Sequence, residues 1–295
     1  MDQVVDAPGP AQPPASPAMA DSITHGTLES PADCIDLEDQ LSSERNEFGQ
    51  QRQLAFRGQS RKFGTLVPSF RRLFVQRKSP KTAELIESEL IKAFREHYRT
   101  LKTTMTEMPS SDAIGMGKDL RCLSVMQHYG VPTRLLDWTA NFWTAMYFAC
   151  AGDPGEDAEL WCYDRAAFVA ASSTQQQMNA INSGIDFDAP ILQRRELDLV
   201  IEETNQLTPR MREQKAHHTV AANVFADHAP LIHAMLNTEK EPHFKRVIIA
   251  QRAKDRVLKY LNDHQEISAS KIFPDFEGLG RFLRWQLDSL MTTLL

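Results

Sequence analysis

The stretch from Leu120 to Cys150, LRCLSVMQHYGVPTRLLDWTANFWTAMYFAC, reads as helix, stop, extended segment and helix in direct succession, an unusual density of signals. Leu120, Leu123, Met126 and Tyr129 recur at helical spacing, Gly130 suits the left-handed position just past a helix, and Pro132 forbids continuation. A first helix therefore ends at Tyr129. Asp137, Thr139 and Asn141 can each cap a second helix, whose Phe142, Ala145, Met146 and Ala149 share one face. Between the two helices Gln127, His128, Thr133, Arg134, Asp137 and Thr139 gather in a polar turn flanked by Tyr129, Trp138 and Trp143. Polar groups converging between apolar helices have the composition of a ligand site on a buried scaffold.

The rest of the chain has to supply a core for these helices. At 295 residues and 42% hydrophobic content it can do so as one domain. The first fifty residues are different, with six prolines and ten acidic residues against a single arginine, a composition too poor in large apolar groups to offset chain entropy. The expected organisation is a disordered acidic Pro-rich arm over residues 1–49 and a domain over 50–295. From Arg52 to Lys102 the balance reverses, to thirteen Lys and Arg against four Glu. Either the arm folds back on this basic stretch, or Arg61, Lys62, Arg71, Arg72, Arg77, Lys78 and Lys81 await a phosphate-rich partner, or they form a solvated face. No run reads as a leader or a membrane span, so a cytoplasmic protein is expected. Cys34, Cys122, Cys150 and Cys162 lack paired spacing, which predicts buried free thiols rather than disulfides or a zinc site.

Taken in order, Gln53 to Arg57 predicts a short strand delivering Arg57 to a turn, where a strand-end arginine can clamp an anion. Ser79 and Pro80 open a long helix with Ile86, Leu90, Phe94, Tyr98 and Leu101 in one stripe. The loop from Met105 to Lys118 is a connector or a lid, Glu159 to Tyr163 a buried strand, and Ser172 to Pro190 a flexible polar insertion. Glu196 to Leu207 and Val220 to Leu236 are expected to be helical, the second interrupted near Pro230. His217 and His218 point apart in any regular structure and are expected to be solvated, and His228 with His233 does not share a helix face, so no metal is expected. Lys245 to Gln251 predicts a central strand, Asp255 to His264 a helix, and Asp275 the cap of a terminal helix. The class is α+β: a small mixed or antiparallel sheet surrounded by several helices.

QHYGVPTRLLDWT followed by TAMYFA resembles the core signature of FRG domains. Phe56, Arg57 and Gly58 form the triplet that names the family, followed by Gln59 and by Leu66 to Arg71. Ile272 to Leu279 is similar to the family's closing segment, and Arg246 with Gln251 to its late strand, one residue longer in spacing and with Ala253 in place of glycine. The resemblance runs from about Gln50 to Leu287.

FRG domains look distantly like ADP-ribosyltransferases. That implies NAD as substrate, no metal, and a toxin or defence effector modifying nucleic acid or protein, with an antitoxin or regulatory protein as a further partner. Transfer of ADP-ribose needs a cation on the dinucleotide, rings for the nicotinamide and a carboxylate at the oxocarbenium-like centre. The resemblance accordingly assigns catalysis to Arg57, His128, Thr139 and Glu241, the last from Glu239-Lys240-Glu241, the one literal counterpart of the transferases' E-x-E. It assigns NAD contacts to Arg57, Gln59, Gln127, Tyr129, Thr133, Arg134, Asp137, Trp138 and Gln251. Asp137 and Arg134 equally fit a closed network that rigidifies the turn, whereas Gln127 and His128 fit ligand contact. The alternative function is a non-catalytic nucleotide- or RNA-binding module, and metal-assisted hydrolysis ranks last because no dense Asp/His cluster stands in the sequence.

Overall fold

The computed structural model describes residues 17–46, 48–74, 80–101, 119–171, 199–203, 213–214, 216–221, 223–236, 243–274 and 276–294. In chain order the elements are α1 (Pro17–Ser22), β1 (Thr24–Leu28), α2 (Pro31–Ser43), β2 (Leu54–Gln59), α3 (Ser69–Arg72), α4 (Pro80–Leu101), α5 (Asp119–His128), β3 (Leu135–Thr139), α6 (Phe142–Cys150) and β4 (Ala158–Asp164). There follow α7 (Arg165–Ala171), β5 (Leu199–Glu203), β6 (Ala216–Ala221), α8 (His228–Leu236), β7 (Phe244–Ile249), α9 (Lys254–His264), α10 (Ala269–Ile272) and α11 (Phe276–Leu294). The strands form one seven-stranded sheet in the order β1-β7-β4-β2-β3-β6-β5. Among the described strands only β1 and β7 run parallel, so the sheet is mixed and the class α+β.

The central stretch folds as its residues require. Gly130 has φ +82°, closing α5, and Val131 N donates to Met126 O in the turn that follows. Of the three candidate caps it is Asn141 that accepts from Thr144 N, at 3.0 Å, because Asp137 and Thr139 lie inside β3.

Period-two alternation gives each face of the sheet its own core. On one face Phe56, Leu160, Cys162, Val247 and Ile249 meet α6 and α9, and Leu135 with Val220 meets α4 and α5. On the other, Ala55, Leu136, Trp138, Trp161, Tyr163 and Phe244 pack beneath α7 and α8. Gly58 lets α6 lie directly on β2: a Cβ there would stand 2.0 Å from Ala145 O and 2.6 Å from Ala149 N. All four cysteines are free and buried, and burial pushes the Cys34 and Cys162 thiols up to about 12.

Four expectations need correction. Residues 17–46 do not belong to a disordered arm: β1 closes the sheet edge, and Ile23, Leu28, Cys34 and Leu41 enter the cores. The acidic composition misled because its charges find partners outside that segment, Glu44 with Arg52 and Lys245, and Glu29 with Arg252. Residues 1–16 lie outside the described residues. Within Glu196–Leu207, residues 199–203 form a strand, and Val220–Leu236 divides into the end of β6 and α8, with Pro230 in that helix's first turn. There, cross-strand pairing, β6 with β3 and β5 with β6, overrode local helical spacing. The strand at Lys245–Gln251 ends at Ile249 and stands second from the edge, because β1 pairs outside it. His217 and His218 do point apart, but both are buried, at 5% and 3% exposure. The lid or connector at Met105–Lys118, the insertion at Ser172–Pro190 and the cap Asp275 lie outside the described residues. Among the described residues no helix is long and apolar enough to cross a membrane.

Candidate functional site

β2 and β3 meet at a single register pair, Phe56 opposite Thr139. Their outer neighbours are joined far more extensively, β2 to β4 over six pairs and β3 to β6 over five. The sheet is thus two halves joined at Phe56 and Thr139, and beyond that pair the ladder between β2 and β3 opens, with no further register pair. A side chain takes over one of those bonds: Arg57 Nη1 donates to Asp137 O at 2.8 Å. Its Nε is buried with no hydrogen-bond partner among the described residues. Burial pulls the guanidinium below its ordinary pKa, the Asp137 charge opposing, yet an arginine so placed remains a cation. An unsatisfied donor in a partly desolvated cation is costly unless an anion completes it.

Asp137 stands on the far side of the opening, its side chain 55% exposed. Its Oδ1 accepts from Gln127 Nε2 at 2.6 Å and pairs with His218 Nε2 at 2.9 Å. Partial burial raises its pKa, but the His218 hydrogen bond and charge, then Arg57 and Gln127, outweigh this and hold the carboxyl down at about 2. Asp137 is therefore an ionised, solvent-facing carboxylate with fixed orientation. The fixing extends inward. Thr133 Oγ1 donates to Gln127 Oε1 and accepts from Leu135 N, while Thr133 O takes the Phe70 N–H at 3.0 Å, tying α3 to the same turn. His218 Nδ1 is buried and without a partner among the described residues.

Other predicted site residues are placed elsewhere or spent on structure. Arg134 is buried in a two-pronged pair with Glu87 of α4 and does not touch Asp137. Gln59 donates to Glu159 Oε1 and Thr65 O, in a buried network where Arg246 holds the other Glu159 oxygen at 2.8 Å. Burial raises the Glu159 pKa, the Arg246 charge opposing it. Trp138 is 1% exposed and donates to Thr219 Oγ1, on the face opposite the Asp137 carboxylate. Thr139 is buried, its hydroxyl donating to Gln214 O and accepting from Asn141 N. His128 ends α5 with its ring edge-on to the exposed Tyr129, and Asp137 is held by Gln127 and His218 rather than by His128. Gln251 begins the turn after β7, in the other half of the sheet, and Glu241 lies outside the described residues.

His218 is the member of this site that sequence reasoning missed. Its adjacency to His217 gives the correct geometry for a strand, one imidazole to each face, with His217 bonded to Tyr163 Oη at 2.8 Å. What the sequence lacked was the pairing that sets His218 opposite Asp137. Among the described residues no cluster of three or more His, Cys, Asp or Glu could hold a metal ion.

Of the basic residues, Arg61 pairs with Asp153, Arg52 with Glu44, and Arg95 with Asp119. Arg71 and Arg72 end α3, and the Arg72 charge acts on Arg57. Arg77 and Lys78 lie outside the described residues.

The family model described as FRG domain matches residues 52–158, a span that contains Phe56-Arg57-Gly58, Asp137 and α6. It ends before His218, Arg246 and the segment Ile272–Leu279. No curated protein and no solved structure matches the chain.

Proposed function

We propose that this chain, which carries an FRG domain over residues 52–158, is an ADP-ribosyltransferase-like enzyme that takes NAD into the opening between β2 and β3. The observation that carries the reading is the pairing, across one split in the sheet, of a cation with an unsatisfied donor and an exposed, ionised carboxylate. Arg57 holds the pyrophosphate, an anion able to satisfy its free Nε–H. Asp137, rather than Glu241, supplies the negative charge facing the ribose as its bond to nicotinamide breaks. Nicotinamide leaves with the bonding electron pair, which neutralises its ring nitrogen. The acceptor nucleophile then attacks the ribose C1′ and gives up its proton. Gln127 and His218 act as positioning residues, keeping the carboxylate ionised and aimed so that little reorganisation accompanies charge development. Arg71 and Arg72 at the end of α3 suit a polyanionic acceptor, so nucleic acid is favoured over protein. Consumption of NAD or modification of nucleic acid fits a toxin or defence effector.

A second reading has its own support. Both hydrogen bonds at Asp137 Oδ1 are already made within the protein, as in a site that holds a nucleotide without turning it over. Incubating the full chain with NAD and nucleic acid or cell extract, with mass spectrometry for nicotinamide and ADP-ribosylated products, separates the two. Transferase activity gives nicotinamide release that Arg57→Ala and Asp137→Asn both abolish. A binding module gives saturable NAD binding, lost in Arg57→Ala, with no nicotinamide. Absence of binding by the parent chain overturns both.

A further inference from the structure

Beyond the pair of Phe56 and Thr139, β2 runs on to Gln59 and its antiparallel neighbour β3 begins at Leu135, so the two lips of the opening end there. Residues 60–72 connect those ends and form an arc across the mouth. The arc is tied at both sides. Gln59 Nε2 donates to Thr65 O at 2.9 Å, while near β3 Phe70 N donates to Thr133 O at 3.0 Å and Ser69 Oγ accepts from Thr133 N at 3.2 Å.

The middle of the arc is pinned from beneath. Phe63 N and Gly64 N donate to the buried Glu159 carboxylate at 3.2 to 3.3 Å, and Arg246 holds the same carboxylate at 2.8 Å. Gly64 takes φ +67°, which glycine adopts without strain, and Ala20 of α1 backs it at 3.7 Å from a would-be Cβ. The backbone is thereby fixed, yet Phe63 is 52% exposed. A single exposed ring is ordinary on a protein surface. One whose main chain is anchored to a buried carboxylate is preorganised, because little loop ordering accompanies binding to it.

The charge around that ring has one sign. From Gln50 to Ala83 the sequence holds nine Lys and Arg and no Asp or Glu. On the arc Arg61 pairs with Asp153, whereas Lys62, Arg71 and Arg72 have no carboxylate partner among the described residues. Arg72 Nη1 donates to Val67 O at 3.0 Å, which holds that guanidinium on the arc. Its charge acts on Arg57, and the charges of Arg57 and Arg71 both act on His228. The cations of the arc and the Arg57 cation thus share one neighbourhood.

We propose, building on the transferase reading, that this arc docks a single-stranded nucleic-acid acceptor, one base stacked on Phe63 and the neighbouring phosphates on Lys62, Arg71 and Arg72. An exposed ring among cations is what a single strand requires: any base can stack on the ring, and the cations follow the backbone. A duplex keeps its bases stacked on one another and has none to offer Phe63. An acidic protein supplies the charge but no base.

The test is fluorescence anisotropy on the full chain with labelled oligothymidylate and oligouridylate of about twelve nucleotides, within the range of single-strand site sizes. A duplex of equal length and poly-glutamate are the competitors. Saturable binding of a single strand is expected, about tenfold tighter than of either competitor, and the tighter of the two single strands identifies DNA or RNA. Phe63→Ala should weaken it roughly tenfold, as for one lost stacked base, and Phe63→Trp should not. Lys62→Ala combined with Arg72→Ala should flatten the slope of log affinity against log salt by about 1.4, for two phosphate contacts. Equal affinity for duplex or poly-glutamate overturns the proposal, and so does a Phe63→Ala variant that binds like the parent. NAD binding is measured on the same samples. Single-strand binding without NAD binding keeps this surface and removes the transferase reading, and NAD binding without single-strand binding does the reverse.

Discussion

Gly58→Ala is the substitution on which the packing of the whole site depends. The added Cβ would lie 2.0 Å from Ala145 O and 2.6 Å from Ala149 N, where comfortable contact needs about 3.5 Å. Both obstacles are main-chain atoms of a helix, so no side chain can swing aside. α6 must withdraw from β2 by more than ~1 Å, a distance that forfeits much of the dispersion contact between them. That opens the edge-to-face pair of Phe56 and Phe142, now 5.6 Å apart, and uncovers Ala145 and Ala149, both fully buried. Overpacking of this kind costs about 1–3 kcal/mol, and the rigid obstacles put it at the upper end. Alanine recovers about 0.4–1 kcal/mol by stiffening the unfolded chain. The net loss is about 2 kcal/mol, read as a fall in the urea midpoint of about 1 M at an m-value of roughly 2–3 kcal/mol per M. Gly280→Ala is the internal control. It lies inside α11 with nothing within 4 Å of its would-be Cβ, and should gain about 0.5–1 kcal/mol of helix propensity. A Gly58→Ala midpoint within about 0.2 M of the parent would refute the close approach of α6 to β2, since no compensating contact is available there.

Further outcomes follow from other parts of the fold. Glu87→Ala removes the carboxylate paired with the buried Arg134 guanidinium and should cost about 3–5 kcal/mol by chemical denaturation. A loss below ~1 kcal/mol would show that the pair is hydrated. The folded Asp137 carboxyl titrates at about 2 against an ordinary 3.8. Its contribution to stability is thus present above about pH 4 and lost as pH falls from about 4 to about 2. Because the side chain is half exposed the amount is small. The readout is the shape of the curve, and Asp137→Asn should flatten that acid limb while leaving the neutral region parallel. A chain beginning at Gln51 exposes the sites of Ile23, Leu28, Cys34 and Leu41 and the edge of β7. At about 1.5–3 kcal/mol for each buried large apolar side chain, its thermal midpoint should fall sharply, and an unchanged midpoint would return residues 17–46 to the status of an arm.

The stretch around Gly130 was legible from local chemistry alone. A left-handed glycine, a proline two residues on and an apolar run at helical spacing admit one succession of elements whatever the surroundings, and α5, β3 and α6 follow it. The same holds for β4, β7 and α9, whose apolar runs are long enough to declare their period. Tertiary structure decided what local chemistry leaves open. β1 reads Thr24-His25-Gly26-Thr27-Leu28, with one buried residue in five, so only β7 beside it makes it a strand. Arg134 and Asp137 are three residues apart and invite pairing. Instead Arg134, in the bend before β3, lies in the core, where Glu87 sits buried on α4, and Asp137 in the strand stays at the surface. His218 became part of the site because an antiparallel register of β3 with β6 put it opposite Asp137, across a gap of some eighty residues. Local sequence sets which conformations a segment prefers. Which charges meet across the sheet depends on register, and register is fixed by burying one face of every strand at once.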